Sequence, residues 1–131
     1  MITFNEEKIE KLAQKHDLSL VMLFGSQATG KTHSQSDVDI GFLSTLKKDL
    51  SERIKIEMDF QQELQNGRIQ IVDLTRVSPL LLHYAVQDGK VLYERDSLVA
   101  PTFFAKVFKL YIETQPLRDI RAERLKKITT S

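Results

Sequence analysis

Two short segments that border a polar loop constrain the fold of this chain more than any other feature. Residues 18–24 (Leu-Ser-Leu-Val-Met-Leu-Phe) are mostly apolar, as is typical of a buried strand. Residues 37–43 begin with alternating acidic and apolar side chains, which predicts a strand with one polar and one apolar face. Gly25 and Ser26 end the first segment, and ten small or polar residues follow them. The acidic face of the second strand is therefore expected beside the Gly-Ser turn.

The remaining segments predict helices and two further strands around this pair. Their order predicts an α/β fold, a small mixed β-sheet with helices packed mainly on one face. Residues 1–96 are expected to form the core, and residues 97–131 a helical extension that belongs to the same domain and binds a partner. The predicted elements are a helix capped by Asn5, a helix over residues 46–65, a strand over 68–74, a helix opened by Ser78 and Pro79, a strand over 90–94, and a helix over 97–112 that Pro116 interrupts before a basic amphipathic segment.

Composition excludes several functional classes. The chain has 131 residues, which suffice for one domain, and its 41% apolar and 28% charged residues are ordinary for a folded protein. No apolar run is long enough to span a membrane, and the first residues do not resemble a secretory signal. The absence of cysteine excludes disulfides, thiolate metal sites and cysteine nucleophiles. These features predict a cytoplasmic protein.

Asp37 and Asp39 are the strongest candidate site residues. Side chains at positions i and i+2 of a strand project from the same face, so the two carboxylates are expected to lie close together. Such a pair is stabilised by a divalent cation, and Mg²⁺ binds carboxylates together with substrate phosphates. Gly25 would let a phosphate approach the backbone, and Ser26 would offer a hydroxyl and an amide. The alternative is that both aspartates are solvated residues of an edge strand.

A second phosphate-binding pattern overlaps the first. Residues 25–32 read Gly, four residues, Gly-Lys-Thr, which satisfies the phosphate-loop pattern. That interpretation requires a helix directly after Lys31, whereas residues 33–40 contain poor helix formers and alternate like a strand. His16, His33 and His83 lie far apart without metal-ligand spacing, so packing or solvent contact is expected for them.

The motif Leu-Phe-Gly-Ser at residues 23–26, followed after ten residues by Asp-Val-Asp at 37–39, resembles the signature of the DNA polymerase beta-like nucleotidyltransferases. The short chain resembles the minimal nucleotidyltransferase (MNT) branch, and residues 68–74, 78–80 and 88–94 are similar to further segments of that branch. The resemblance covers residues 9–94. It implies that Asp37 and Asp39 hold Mg²⁺, that Gly25 and Ser26 bind the phosphates of ATP, and that AMP is transferred with release of pyrophosphate.

One position departs from the family pattern. The third carboxylate of the family aligns with Gln70, whose amide carries no charge and binds magnesium weakly. Asp73 is three residues further on, so strand alternation predicts that it points away from Asp37 and Asp39 and serves as a turn or cap carboxylate.

The resemblance implies a toxin–antitoxin function. MNT proteins act as antitoxins of HEPN-domain ribonuclease toxins and transfer AMP to a toxin tyrosine, so we expect a hetero-oligomer with such a toxin. The alternative is an antitoxin weakened at Gln70 that acts by covering the toxin, and transfer to a small molecule is a third hypothesis. Residues 118–127 are basic and suggest a weak contact with nucleic acid, although the net charge is only +1.

Overall fold

The computed structural model describes residues 4–24 and 37–130. In these ranges, four strands form a single sheet with four α-helices packed around it. The elements in chain order are α1 (Glu6–Lys15), β1 (Leu18–Phe24), β2 (Val38–Ser44), α2 (Leu50–Glu63), β3 (Ile69–Asp73), a 3-10 helix (Leu74–Arg76), α3 (Pro79–Asp88), β4 (Lys90–Glu94) and α4 (Val99–Thr130).

The sheet is mixed, with the order β3-β2-β1-β4. β1 pairs antiparallel with both β2 and β4, whereas β2 and β3 are parallel and are connected through α2. Parallel neighbours require such a crossover, because the chain must return to the starting edge of the sheet. The predicted α/β class with a small mixed sheet is confirmed.

Side-chain caps fix where the helices begin. The Asn5 carboxamide accepts hydrogen bonds from the backbone of Glu7 and Lys8, and Ser78 caps α3 with Pro79 at its first position, as predicted. The start of α2 was predicted four residues too early. Asp49 and Glu52 form a capping box there, and this box starts the helix at Leu50.

Helices cover both faces of the sheet, which differs from the expectation that they pack mainly on one face. The reason lies in β1, one of the two inner strands, which is apolar on both sides. Val21 and Leu23 join a core with α1 and α2, whereas Leu20, Met22 and Phe24 join a second core with α3 and α4. A strand buried on both faces needs a helical layer on each side.

α4 runs without interruption through Pro116, so the predicted break at this residue is wrong. Proline removes one hydrogen bond to the preceding turn, but contacts on both sides of it hold the helix in place. Tyr111 stacks on His83 of α3 with ring centroids 3.7 Å apart, and the Arg118 guanidinium lies 4.0 Å from the Tyr111 ring centroid. No helix in the described ranges has the length and apolar character of a membrane span.

Candidate active site

Asp37 and Asp39 lie at the start of β2, on the face of the sheet that carries α3 and α4. Val38 and Ile40 alternate with them and are buried against α1 and α2. Asp39 is flanked by Phe24 of β1 and Gln70 of β3 in the strand register. The amide nitrogen of Gln70 donates to an oxygen of Asp37 at 3.2 Å. The two aspartates and Gln70 therefore form one cluster, as the strand pattern predicts.

The surroundings of Asp39 disfavour its negative charge. Burial raises the pKa of Asp39, and the negative charge of Asp37 raises it further. Both effects disfavour the ionised form, because the carboxylate loses hydration and faces a like charge. A cation placed between the two groups would remove the repulsion and favour both charges.

Asp73 does not belong to this cluster. It pairs with Phe42 in the strand register and is buried. Its carboxylate accepts hydrogen bonds from the Thr75 amide at 3.0 Å and the Thr75 hydroxyl at 2.7 Å. The prediction of a capping role at the end of the strand is confirmed, and Asp73 does not join Asp37 and Asp39.

Phe24 is a positioning residue that the sequence analysis missed. Its ring fills the space above two glycines, Gly41 in β2 and Gly89 before β4, on the two sides of β1. A Cβ atom at Gly89 would lie 2.8 Å from Cε1 of Phe24, and one at Gly41 would also collide with the ring. The available signal was one glycine in β2 and one directly before β4, on either side of an aromatic residue at the end of β1. This packing holds the residue that directly precedes Gly25 and Ser26 in the sequence.

Several predicted residues lie outside the described ranges. These are Gly25, Ser26, Lys31 and His33, together with the phosphate-loop pattern. The two other histidines pack as expected. His16 contacts Asp59 at 2.8 Å, and His83 stacks on Tyr111.

The cluster fits magnesium better than a metal that needs a complete protein cage. Among the described residues, no group of three or more His, Cys, Asp or Glu side chains could hold a metal ion. Asp37 and Asp39 supply hard carboxylate oxygens, and the carbonyl oxygen of the Gln70 amide is a weak additional donor. Magnesium is commonly bound by one or two carboxylates with substrate phosphates and water, so this donor set suits a nucleotide-bound ion.

A comparison with known families identifies the class of protein. Residues 7–98 match the family model described as polymerase beta, nucleotidyltransferase. The chain belongs to this nucleotidyltransferase family, which agrees with the motifs at residues 23–26 and 37–39. The resemblance on which the sequence analysis relied is confirmed, and the phosphate-loop class is not the class of this chain.

Comparisons with individual proteins show which members of this family the chain resembles. The chain is 32% identical over 124 residues to protein adenylyltransferase MntA of Shewanella oneidensis, which covers 91% of this chain and 88% of MntA. A crystal structure of a toxin–antitoxin with AMP-PNP superimposes with a TM-score of 0.80 at 29% identity, over 93% of this chain and 98% of the other. A structure of the tri-AMPylated Shewanella oneidensis HEPN toxin in complex with MNT antitoxin gives a TM-score of 0.72 at 27% identity, over 92% and 95% of the two chains.

Proposed function

We propose that this protein is an antitoxin adenylyltransferase that transfers AMP from ATP to a tyrosine of a HEPN ribonuclease toxin and thereby neutralises it. The observation that carries the proposal is the Asp37–Asp39 pair, which lies beside the strand that leads into Gly25 and Ser26. The similarity to MntA and to a complex with an AMPylated HEPN toxin supports the acceptor and the partner.

The proposed reaction is an in-line displacement at the α-phosphorus of ATP. The tyrosine oxygen forms a bond to this phosphorus as the phenol loses its proton to solvent water, and the bond from phosphorus to the oxygen bridging the α- and β-phosphates breaks to release pyrophosphate. Asp37 and Asp39 would hold Mg²⁺, which neutralises phosphate charge when bound. Gly25 and Ser26 would bind the phosphates. Gln70 has no carboxylate and therefore does not accept the phenol proton.

Mass spectrometry of the toxin tests this proposal. Incubation of the antitoxin, the purified toxin, ATP and Mg²⁺ is expected to add the mass of one or more AMP groups to toxin tyrosines. Asp39→Asn should reduce the transfer about 100-fold or more, because the site loses a negative charge that attracts the cation. Asp49→Asn is the matched control, because asparagine caps a helix as well as aspartate and Asp49 lies away from the cluster. No added mass at saturating ATP would overturn the proposal.

A second candidate function follows from the uncharged Gln70. With two carboxylates rather than three, the site attracts cations less strongly, so the antitoxin could act by covering the toxin without modifying it. In that case the Asp39→Asn variant would still protect cells from the toxin although the toxin gains no AMP. Loss of protection in this variant would count against the covering mechanism.

We assign the toxin contact to α4 and the groove beside it. The groove has a volume of about 680 Å³, lies between α3 and α4 and is lined mainly by apolar residues such as Leu82, Phe103 and Val107. On the outer side of α4, Phe108 is 60% exposed and Ile112 48% exposed. Large apolar side chains exposed together are typical of protein interfaces.

A weak contact of residues 118–127 with nucleic acid also stays a prediction. Within this segment, Arg118 folds back over Tyr111, so part of its basic charge contacts the protein itself. Only a steep fall of DNA affinity with salt would support such a contact.

A further inference from the structure

Lys48 is a buried cation with an incomplete set of partners. It lies between β2 and α2 and is only 9% exposed. Its ammonium group is 3.7 Å from an oxygen of Glu52, which is too long for a hydrogen bond. Among the described residues, no other group forms an ion pair or hydrogen bond with the Lys48 ammonium. A lysine ammonium has three donors, and leaving them unsatisfied inside a protein costs free energy.

The space next to Lys48 is lined mainly by basic side chains. A cavity of about 270 Å³ is bordered by Lys15, His16, Lys48, Glu52, Lys55 and Ile56. Four of these six residues carry nitrogen donors and one carries a carboxylate. One oxygen of the Glu52 carboxylate accepts from the Asp49 amide at 3.4 Å in the capping box, and the other is the oxygen that lies 3.7 Å from the Lys48 ammonium. The cavity therefore offers more positive than negative charge and has room for an ion with water.

Asp59 is the other acidic group near this cavity, and it is already paired. One of its carboxylate oxygens lies 2.8 Å from the Lys15 ammonium and 2.8 Å from the His16 ring nitrogen. No ion pair or hydrogen bond joins Asp59 to Lys48 in the described part of the chain, so the Glu52 carboxylate at 3.7 Å is the one counter-charge of the Lys48 ammonium there. Lys48 thus has hydrogen-bond donors that its long ion pair with Glu52 leaves open to an external anion.

We propose that this cavity binds a small tetrahedral oxyanion, with inorganic phosphate as the reference ligand and the Lys48 ammonium as its central donor. Lys55 lines the same space and would contribute a second positive charge. Charge-assisted hydrogen bonds to an oxyanion would satisfy the donors that the protein leaves without partners.

The proposed anion site is separate from the nucleotide site. Asp39 lies near the start of β2 and Lys48 beyond its end, so about 15 Å of strand separates them. The cavity is built on α1 and α2, which pack on the face of the sheet opposite to Asp39. The bound anion would therefore not be a phosphate of the ATP bound for transfer.

Thermal unfolding with phosphate tests the site. At constant ionic strength, with chloride as the reference salt, phosphate should raise the unfolding temperature of the intact protein in a saturable way. Lys48→Met should reduce phosphate affinity by roughly tenfold or more, because a charged hydrogen-bond partner is lost. Without phosphate, this variant should unfold at the same or a higher temperature, because it no longer buries an unsatisfied charge.

Lys11→Met provides the matched control. Lys11 lies on α1 but lines a neighbouring cavity, so this variant should keep the phosphate effect. The broadening of the phosphorus NMR line of inorganic phosphate on binding gives a second readout. If Lys48→Met does not fold, Lys55→Met takes its place. Short duplex DNA is then added to test whether the site binds the phosphates of a nucleic-acid backbone. If the site takes the free ion, the DNA should not displace inorganic phosphate.

Three results would overturn the proposal. The first is an unfolding temperature that phosphate raises no more than chloride does. The second is an equal phosphate effect in wild type and Lys48→Met, and the third is an equal loss in Lys48→Met and Lys11→Met, which would indicate unspecific charge screening. A lower unfolding temperature of Lys48→Met with no phosphate effect in wild type would assign Lys48 to the Glu52 ion pair alone.

Discussion

The side-chain amide of Gln70 donates to the Asp37 carboxylate at 3.2 Å, across the two parallel strands that form the edge of the candidate active site. An amide donor at this position stabilises the aspartate charge without adding another. The resemblance described above predicts a third carboxylate at this position, so we expect the two carboxylates of this site to bind cations less strongly than three would.

Gln70→Glu is expected to strengthen cation binding. The substitution preserves the size of the side chain and adds a carboxylate beside Asp37 and Asp39, so Mg²⁺ or Mn²⁺ affinity should rise on the order of tenfold, because one extra charge near an ion contributes at least about 1 kcal/mol. Calorimetric titration with each metal measures the change directly. Gln70→Leu, which removes the hydrogen bond without adding charge, is the control and should not bind more tightly than wild type. Equal affinities for the glutamate variant and wild type would contradict the role assigned to position 70.

Gly41→Ala should destabilise the protein by about 1–3 kcal/mol, the usual cost of overpacking a core. The added methyl would lie 2.6 Å from Cδ2 of Leu74 and would also collide with the Phe24 ring. Chemical denaturation measures the free energy of unfolding. Gly67→Ala is the matched control, because a Cβ atom there has no neighbour within 4 Å. If Gly41→Ala and Gly67→Ala had the same free energy of unfolding, the tight packing of Phe24 against Gly41 would be refuted.

Much of the fold could be predicted from local sequence signals. Asn5, Ser78 and Pro79 marked helix starts, and alternation placed Asp37 and Asp39 on one face and Asp73 on the other. The errors arose where contacts between residues far apart in the sequence determine the structure. The two-sided burial of β1 depends on which helices return to the sheet, and the continuity of α4 through Pro116 depends on the stacking of Tyr111 between His83 and Arg118. The packing of Phe24 against Gly41 and Gly89 likewise involves residues far apart in the chain.

Stability should fall as the pH drops below about 6.5, with a contribution from His16. Burial lowers the pKa of His16 in the folded protein, and this effect exceeds the opposing attraction of Asp59. The unfolded chain therefore binds a proton at His16 more readily, so acidification favours unfolding. The His16→Gln variant should lose less stability than wild type between pH 7.5 and pH 5, measured by urea denaturation in phosphate-free buffers. An unchanged pH dependence in the variant would contradict this assignment.

Phe108→Glu should weaken toxin binding without altering the fold. Because the ring is 60% exposed, the free energy of unfolding should change by no more than about 0.5 kcal/mol. Toxin affinity should fall at least about tenfold if the ring is buried at the interface. Leu50→Glu is the matched control, because Leu50 is 62% exposed on α2, which packs on the opposite face of the sheet. If biolayer interferometry gave the same affinity for both variants, the toxin contact would not lie on α4.

The most direct test of the central claim is a calorimetric titration of ATP into the protein with Mg²⁺ and again with excess EDTA, for wild type and Asp39→Asn. The claim is that Asp37 and Asp39 hold a cation that the nucleotide phosphates share. Saturable ATP binding by wild type should then require Mg²⁺, and the Asp39→Asn variant should lose it while Asp49→Asn retains it. ATP binding of equal affinity with and without the metal, or unchanged binding by Asp39→Asn, would contradict the account.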